Sequence, residues 1–419
     1  MRVAYFAEIF PSRSETWVHH EIRELTRLGC EVRVFATWPR PKVESAEDSE
    51  LVSLTRYLDE YPKFEILPGL LTLCRSRVLR PLITGICFER PSFRNAIQTL
   101  RDLARMARLL SQVRDFHPDI TVCHFSGSRA NLGLMLQLLD GIPFVIKSHA
   151  KDIFSGSALL STKVKLASCF YTISRYNLDF IAEHYPEVES ERIRLHACGV
   201  PLDLLAFEPT EEHESNRAPL LLSVGRLVPM KGLEFLIRAS MLVRQQHPGT
   251  RVLIVGQGPE EARLEHLIRQ LGLEEFVKLA GYCTPEEVRA HLRSASVSVM
   301  PCVWDPKDGS QDGIPVALME SMACGVPVIS THISGIPELI ENDVSGFLAH
   351  PGDSQDLAQA IHRALSMSPA NRTDMLARAR EVIERNHDIR KLSRDLLDDL
   401  ETIVRATPGT TSPLRGDRK

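Results

Sequence analysis

The sequence lacks several features that would assign it to a common protein class. Its nine cysteines are scattered over 419 residues and form no C-x-x-C pair. That pattern is typical of reduced, buried thiols and of the cytosol, not of a disulfide framework. No apolar run approaches the roughly 20 residues of a transmembrane helix. The N-terminus, MRVAYFAEIF, also lacks the features of a secretory signal. We therefore expect a cytoplasmic protein.

A net positive charge and the common nucleotide-binding fingerprints are missing as well. The formal net charge of -4 argues against nucleic-acid binding. There is no P-loop, and the G-x-G formed by Gly256 and Gly258 lacks the third glycine of a dinucleotide fingerprint. The first strand is not followed by such a fingerprint, which disfavours an NAD-dependent dehydrogenase. No D-x-D motif is present, so we expect neither a metal ion nor another cofactor.

What the chain does contain is two successive series of strand and helix patterns. The chain is longer than a domain with a single hydrophobic core usually is, and 43% of its residues are hydrophobic. Short runs rich in valine and isoleucine alternate with helical periodicity, which predicts parallel sheets. The predicted strands are 3–6, 31–36, 120–124, 144–147, 169–173 and 193–195, then 220–224, 251–255, 277–279, 297–300 and 326–330. The predicted fold class is α/β, with two doubly wound Rossmann-like domains facing across a cleft.

Changes in composition predict the domain boundaries. Regular patterning gives way to prolines and charged residues at 199–219, which indicates a linker. We expect one domain over 1–199 and a second over 200–385. A C-terminal helix over 386–405 should pack back towards the first domain, and a tail over 406–419 should be disordered.

An arginine-rich segment at 70–108 allows two interpretations. The favoured one is a solvated helical face within the first domain. The alternative is an amphipathic surface that lies on anionic lipid, which would attach the protein peripherally to the inner face of the cell membrane.

The segment LLLSVGRLVPMKGLEFLIRA combines a strand, a basic loop and a helix. Arg226 and Lys231 lie in the loop, and Gly232 opens the helix. Two cations and a helix N-terminus suit a diphosphate, although two exposed basic residues would be the plain alternative. Gly256 in the next strand–helix turn and Tyr282 after the following strand are weaker candidates, since a tight turn would account for the glycine.

The segment DGIPVALME carries two carboxylates, Asp312 and Glu320, beside apolar residues. If the whole segment were helical, the two would be rotated by ~80° and separated by ~12 Å, so they could hold two ends of one ligand without sharing a proton. Pro315 suits a first helical position. A carboxylate can accept two hydrogen bonds from the vicinal hydroxyls of a sugar or ribose. Glu320 adjoins leucine and methionine side chains, where a charge without a partner is costly.

Two loops of the first half are further candidates. PFVIKSHAKDIF places His149 just after a strand, where a histidine could bind a sugar hydroxyl or serve a structural role. FPSRSETW places Ser14, Glu15 and Thr16 in a strand-to-helix turn. Ser14 or Thr16 could cap the helix, or the three residues could form a polar rim for an acceptor.

Together these segments resemble glycosyltransferase family 4, retaining enzymes of GT-B fold that use nucleotide-activated sugars. The resemblance is strong over 220–353, where it rests on GRLVPMKG, DGIPVALME, ESMACGVPVIST and SGIPELIENDVSGFLAHPGD, and the hinge GVPLDLLAFEP adds to it. FPSRSETWVHHEIRELTRLGCEV is similar to the entry of bacterial exopolysaccharide transferases of the colanic-acid type.

The resemblance implies a role for each candidate residue. Arg226 and Lys231 would bind the donor diphosphate and stabilise the leaving group, and His149 would contact the transferred sugar. The remaining donor contacts would be Glu320 to the ribose hydroxyls, Asp312 with the Gly313 and Ile314 backbone to the donor sugar, and Gly256 and Tyr282 around the nucleotide. Ser14, Glu15 and Thr16 would face the acceptor. The resemblance implies no protein nucleophile, and we expect no metal requirement.

Two positions depart from the family pattern. Asp312 stands where the family usually has glutamate, and Ala150 follows His149 where glycine is common. The shorter Asp312 side chain therefore predicts an altered contact with the sugar.

The expected function is transfer of a hexose from a nucleotide sugar to a glycan or lipid-linked acceptor in cell-surface polysaccharide synthesis. The first domain would be the acceptor side, and the second would bind the nucleotide sugar. Two alternatives remain open: a GT-B-fold epimerase or phosphorylase, and a non-catalytic protein that binds sugar nucleotides.

Overall fold

The computed structural model describes residues 1–38, 46–58, 109–154, 159–208 and 218–407. The chain divides into two compact units. Met1–Ala197 and the segment that starts at Arg390 form the first unit, and Cys198–Ile389 form the second. The arginine-rich segment 70–108, residues 209–217 of the predicted linker and the tail after 407 lie outside the described residues.

The first unit is built on a parallel sheet. Within the described residues its seven strands have the order β3-β2-β1-β4-β5-β6-β7. They are β1 (Arg2–Ala7), β2 (Glu31–Ala36), β3 (Thr55–Tyr57), β4 (Ile120–His124), β5 (Phe144–Ser148), β6 (Cys169–Thr172) and β7 (Ile193–Leu195). The helices are α1 (Thr16–Arg27), α2 (Ala46–Ser53), α3 (Leu110–Phe116), α4 (Ser128–Asp140), α5 (Lys151–Phe154), α6 (Leu160–Leu166) and α7 (Arg175–His184).

The second unit repeats this architecture. Its described strands form a six-stranded parallel sheet of order β10-β9-β8-β11-β12-β13. They are β8 (Leu220–Val224), β9 (Arg251–Val255), β10 (Val277–Gly281), β11 (Val297–Val299), β12 (Val328–Thr331) and β13 (Phe347–Ala349). The helices are α8 (Leu233–Gln246), α9 (Glu261–Gln270), α10 (Pro285–Ser294), α11 (Val316–Ala323), α12 (Ile336–Leu339), α13 (Ser354–Leu365) and α14 (Pro369–Asn386). The last helix, α15 (Ile389–Ala406), runs from the second unit into the first.

Burial on both faces explains why the strands are continuous apolar runs. On one face of the first sheet, Val3 and Tyr5 of β1 pack with α1 and with Leu396, Leu400 and Val404 of α15. On the other face, Ala4 and Phe6 join the cluster that contains α4. Because successive strand residues point to opposite faces, one short strand contributes to both cores. The C-terminal helix is thus part of the core of the first unit.

Both sheets match the predicted α/β class, and the predicted strands are present with end shifts of one or two residues. Two strands, β3 and β13, were missed. Each has three residues and lies at a sheet edge, and a run of that length carries little periodicity, although β7 is as short and was predicted. None of the described helices combines the length and hydropathy needed to span a membrane.

Candidate active site

The predicted donor residues of the second unit gather where the strand order reverses. β8 and β11 are neighbours in the sheet although they are not consecutive in sequence. In open α/β sheets, ligands bind at the carboxyl ends of the strands at such a reversal. Arg226 and Lys231 follow β8, and Asp312 lies in the connection that follows β11. The sheet topology therefore places these residues at a natural ligand site.

The basic loop is packed directly against the backbone that leaves β11. Pro229–Lys231 form one 3-10 turn, and Gly232 then adopts a left-handed conformation with φ +63° before α8 begins. A Cβ on Gly232 would lie 1.9 Å from the carbonyl oxygen of Pro301. Only glycine permits this approach. The position of Lys231 is thereby fixed by both loops.

The ammonium group of Lys231 forms an ion pair with the carboxylate of Asp312. The Sγ atom of Cys302 lies 3.7 Å from the same carboxylate oxygen. Burial disfavours the charge on Lys231, but Asp312 and Cys302 together outweigh this effect and raise the pKa of Lys231 above its ordinary value. Lys231 therefore remains a cation in a largely buried position.

Arg226 is the second cation of the loop and differs from Lys231 in its surroundings. Its side chain is exposed, and it forms no hydrogen bond or ion pair with any described residue. Its charge nevertheless acts on Lys231, where it opposes protonation. Lys231 is paired with Asp312, whereas the Arg226 side chain has no such partner among the described residues, so the loop carries an excess positive charge that suits an anion.

Glu320 lies on α11, whose start differs from the prediction. The helix begins at Val316, and Pro315 is the N-cap instead of the first helical residue. Asp312 therefore precedes the helix, and the helical estimate of its separation from Glu320 does not apply. Gly313 and Ile314, assigned to the donor sugar through their backbone, are buried just before the helix.

The Glu320 side chain is half-buried and, within the described part of the chain, has neither a hydrogen bond nor an ion pair. Burial raises its pKa to about 7, and Arg289 only partly opposes this shift. The flanking Leu318 and Met319 are fully buried. A carboxylate without a partner in this setting costs stability and is available to accept hydrogen bonds from a ligand.

Gly256 holds three strand ends together. Its φ is +139°, its N–H donates to the Gly281 carbonyl at 2.7 Å, and a Cβ on it would lie 1.9 Å from the Gly225 carbonyl oxygen. It is therefore required for packing at the carboxyl ends of β8, β9 and β10. Tyr282, which follows β10, is half-buried beside this junction.

In the first unit, His149 lies just after β5 and is buried. Its ring packs against Trp17 and Phe125, with centroid distances of 5.3 and 4.8 Å. Its backbone N–H donates to Asp152 at 3.0 Å, and its carbonyl accepts from the amide of Asn177. Ring packing and backbone hydrogen bonds thus fix the imidazole in place. Ala150 is accommodated at a buried position without a glycine.

His149 also belongs to a buried polar cluster that the sequence reasoning missed. His124, Glu21, Lys147 and Tyr5 also belong to it, and the Tyr5 hydroxyl donates to Glu21 at 2.8 Å. A signal was available, because Glu21 lies at helical spacing with Val18, Ile22 and Leu25 on the apolar face of α1. Lys147 similarly interrupts a wholly buried strand.

The polar turn before α1 differs from the prediction. The N-cap position is Glu15, and no side-chain hydrogen bond caps the helix, so neither Ser14 nor Thr16 acts as a cap. Glu15 instead binds both terminal nitrogens of Arg129, each at 3.2 Å. The Arg129 guanidinium lies over the Phe125 ring at 4.4 Å. Glu15 is thereby connected to the side chains that surround His149.

Two family models cover most of the chain. The model for Glycosyltransferase Family 4 matches residues 14–204, and the model for Glycosyl transferases group 1 matches residues 207–382. The amylovoran biosynthesis glycosyltransferase AmsK of Erwinia amylovora is 31% identical over 96% of this chain and 100% of its own length. The Escherichia coli (strain K12) protein WcaL, named for colanic acid biosynthesis, is 29% identical over the same shares.

Solved structures support the same fold. HepE from Anabaena, solved in complex with UDP-glucose, superposes with a TM-score of 0.70 over 96% of this chain and 100% of that chain at 18% identity. The expected GT-B fold class and the resemblance to exopolysaccharide glycosyltransferases are confirmed. The chain belongs to the glycosyltransferase family defined by the Family 4 and group 1 models, and it is a glycosyltransferase.

Proposed function

We propose that this glycosyltransferase moves a hexose from a nucleotide sugar to a glycan or lipid-linked acceptor in exopolysaccharide synthesis, with retention of anomeric configuration. The observation that carries the proposal is the pair of cations, Arg226 and Lys231, on the loop after β8. Full-length similarity to a relative named for amylovoran biosynthesis supports the acceptor class. The UDP-glucose complex of HepE supports the donor class.

The two cations would bind the donor diphosphate and stabilise the charge that develops on the leaving nucleotide. In the structure, the Asp312 carboxylate forms an ion pair with the Lys231 ammonium group. Diphosphate oxygens would compete for the same ammonium group, so donor binding would release part of the Asp312 carboxylate towards the sugar hydroxyls. Arg226, whose side chain is exposed, would make the first contact with the incoming anion.

Glu320 would accept hydrogen bonds from the ribose hydroxyls, which would supply the partners that its half-buried carboxylate lacks among the described residues. The backbone at Gly313 and Ile314 would contact the donor sugar, with Gly256 and Tyr282 close to the nucleotide. His149 would contact the transferred sugar, and Ser14, Glu15 and Thr16 would belong to the acceptor side.

The proposal also includes the cellular setting and the absence of a metal. We place the enzyme in the cytoplasm, with attachment to the inner face of the membrane as an option that depends on residues 70–108. The cationic loop would neutralise the diphosphate without a divalent ion. Among the described residues, no three histidine, cysteine, aspartate or glutamate side chains are grouped so that they could hold a metal ion.

Thermal-shift measurements with UDP-, GDP-, ADP- and TDP-sugars would identify the donor, since a ligand that binds the folded state raises its stability. Turnover with the best donor should then require a glycan or lipid-linked acceptor, and the product should keep the anomeric configuration of the donor. Conversion of the donor without an acceptor would instead favour an epimerase. Binding without any turnover would favour a non-catalytic protein.

A further inference from the structure

A buried chain of hydrogen-bonding side chains leads from α1 to His149. Glu21 Oε1 lies 3.1 Å from His124 Nε2, and His124 Nδ1 lies 3.0 Å from His149 Nε2. The relative exposures of Glu21, His124 and His149 are 4%, 2% and 5%. Buried polar groups are costly unless they are paired. Each of these two contacts should therefore be a hydrogen bond, with one atom as the donor and the other as the acceptor.

The first bond of the chain has only one arrangement. Glu21 also forms an ion pair with Lys147 and accepts a hydrogen bond from Tyr5 at 2.8 Å. Burial alone would raise the pKa of Glu21, but Lys147 and His124 hold it well below its ordinary value. An ionised carboxylate only accepts, so the hydrogen between Glu21 and His124 belongs to His124 Nε2.

The charge state of His124 fixes the second bond. The Glu21 carboxylate is already paired with Lys147, so a charged His124 would leave an uncompensated positive charge in the interior. Burial lowers the pKa of His124, and Lys147 adds to this effect against the opposing influence of Glu21. His124 is therefore neutral with its hydrogen on Nε2, and its Nδ1 can only accept.

His149 must then donate from Nε2. Its pKa is also held well below the ordinary value by burial, with His124, Lys147 and Arg129 acting in the same direction and Glu21 against them. A neutral imidazole that donates from Nε2 carries no hydrogen on Nδ1, and such a nitrogen is an acceptor for a hydroxyl group.

We infer that Glu21 and His124 are positioning residues that hold His149 in the tautomer with an acceptor Nδ1, and that sugar transfer requires this tautomer. The inference rests on the proposed function, in which His149 contacts the transferred sugar. Neither Glu21 nor His124 needs to touch a substrate for this role. Their effect would therefore fall on turnover more than on donor affinity.

Two substitutions at position 124 separate positioning from simple packing. The side-chain amide of asparagine lies as many bonds from Cβ as Nδ1 of histidine does. His124→Asn therefore keeps an acceptor for His149 but loses the hydrogen bond to Glu21. The side-chain amide of glutamine lies one bond farther from Cβ, as Nε2 of histidine does. His124→Gln therefore keeps the hydrogen bond to Glu21 but loses the acceptor for His149. We expect kcat to fall by about 100-fold in His124→Gln, the scale of a misplaced catalytic group, and much less in His124→Asn.

The comparison needs a matched control and a separate binding measurement. His184→Gln makes the same substitution at an exposed histidine of the first unit and should keep kcat. The donor dissociation constant should change little in all three variants. Equal losses of kcat in His124→Asn and His124→Gln, or losses that appear only in donor binding, would overturn the positioning role.

The tautomer can be measured without turnover. In full-length protein labelled with ¹⁵N-histidine, two-bond ¹H–¹⁵N correlations should show His149 neutral with its hydrogen on Nε2, and His149→Gln would assign the signal. A hydrogen on Nδ1, or a charged ring at neutral pH, would overturn the inference. If the wild-type protein shows the expected tautomer but transfers no sugar, the proposed function fails and the catalytic role of the tautomer fails with it, whereas the hydrogen-bond chain stands.

Discussion

Lys231 and Asp312, 81 positions apart in sequence, form an ion pair between the loop after β8 and the connection after β11. The lysine would bind the donor diphosphate and the aspartate would bind the donor sugar, so one contact connects both halves of the proposed donor site. The ion pair also keeps a largely buried lysine charged before a ligand arrives.

Substitutions of Asp312 should separate these two roles. Asp312→Asn removes the negative charge, which should leave Lys231 more available to a diphosphate but weaken the contact with the sugar. We expect affinity for the free nucleoside diphosphate to be kept or increased, while kcat/KM for the nucleotide sugar falls roughly 10- to 100-fold, as for loss of a charged hydrogen bond. Calorimetric binding and steady-state transfer would measure the two effects.

Asp312→Glu is the matched control, because it keeps the charge and restores the side chain usual in the family. Its kcat/KM should remain close to that of the wild type or exceed it. A loss in Asp312→Glu as large as that in Asp312→Asn would contradict a role based on the carboxylate.

Glu320 should make donor binding depend on pH. Its pKa of about 7 means that the carboxylate gains its charge only near neutrality. If the charged form binds ribose, the donor dissociation constant should be about tenfold lower at about pH 8 than at about pH 6, because affinity scales with the competent fraction. A nucleotide sugar is the right probe, since its diphosphate is esterified at both ends and does not titrate in this range.

The Glu320→Gln variant should lose this pH dependence and bind the donor weakly throughout. Although the substitution weakens donor binding, it should stabilise the folded protein. A glutamate whose pKa is raised on folding destabilises the folded state progressively as pH rises from its ordinary value through about 7. Glu320→Gln should therefore unfold at a higher temperature than the wild type at alkaline pH. An unchanged pH dependence of binding would remove Glu320 from the donor site.

Gly258 offers a test of how tightly the strand-end loops are packed. A Cβ at this position would lie 2.3 Å from the carbonyl oxygen of Leu227, a backbone atom that cannot rotate away. Gly258→Ala should lower the free energy of unfolding by about 1 to 3 kcal/mol, as overpacking does. Gly249→Ala is the control, because its nearest contact would be an ordinary 3.7 Å. Chemical denaturation would measure both variants, and equal effects would contradict the packing explanation.

Metal independence is tested by chelation. Because Arg226 and Lys231 would neutralise the diphosphate, transfer should continue at an undiminished rate in excess EDTA. Activity that collapses in EDTA and returns with Mn²⁺ would show that the cationic loop is insufficient.

Local sequence was informative where a candidate residue stands out against its immediate neighbours. Lys231, Gly232 and Glu320 could be singled out because their unusual neighbours lie within a few positions of each in the chain. The same approach found most strands, whose burial on both faces produces continuous apolar runs.

Contacts across the sheet could not be predicted in this way. The ion pair of Glu21 with Lys147 spans 126 positions, and the contact of Glu21 with His124 spans 103. Glu21 and Lys147 each stand out within their own segments, but their pairing depends on the parallel order of β1, β4 and β5, which local sequence does not show. The start of α11 was misjudged by one residue because proline is compatible with both the N-cap and the first helical turn.

The transfer rate of Lys231→Ala, measured with the best nucleotide-sugar donor and its acceptor, tests the proposed role of the cationic loop most directly. Removal of one preorganised charge at a leaving group should lower kcat by about 100- to 1000-fold. Arg263→Ala, which removes an exposed arginine from the same unit, should keep the wild-type rate. A Lys231→Ala enzyme that is correctly folded and transfers sugar as fast as the Arg263→Ala control would contradict the proposed role.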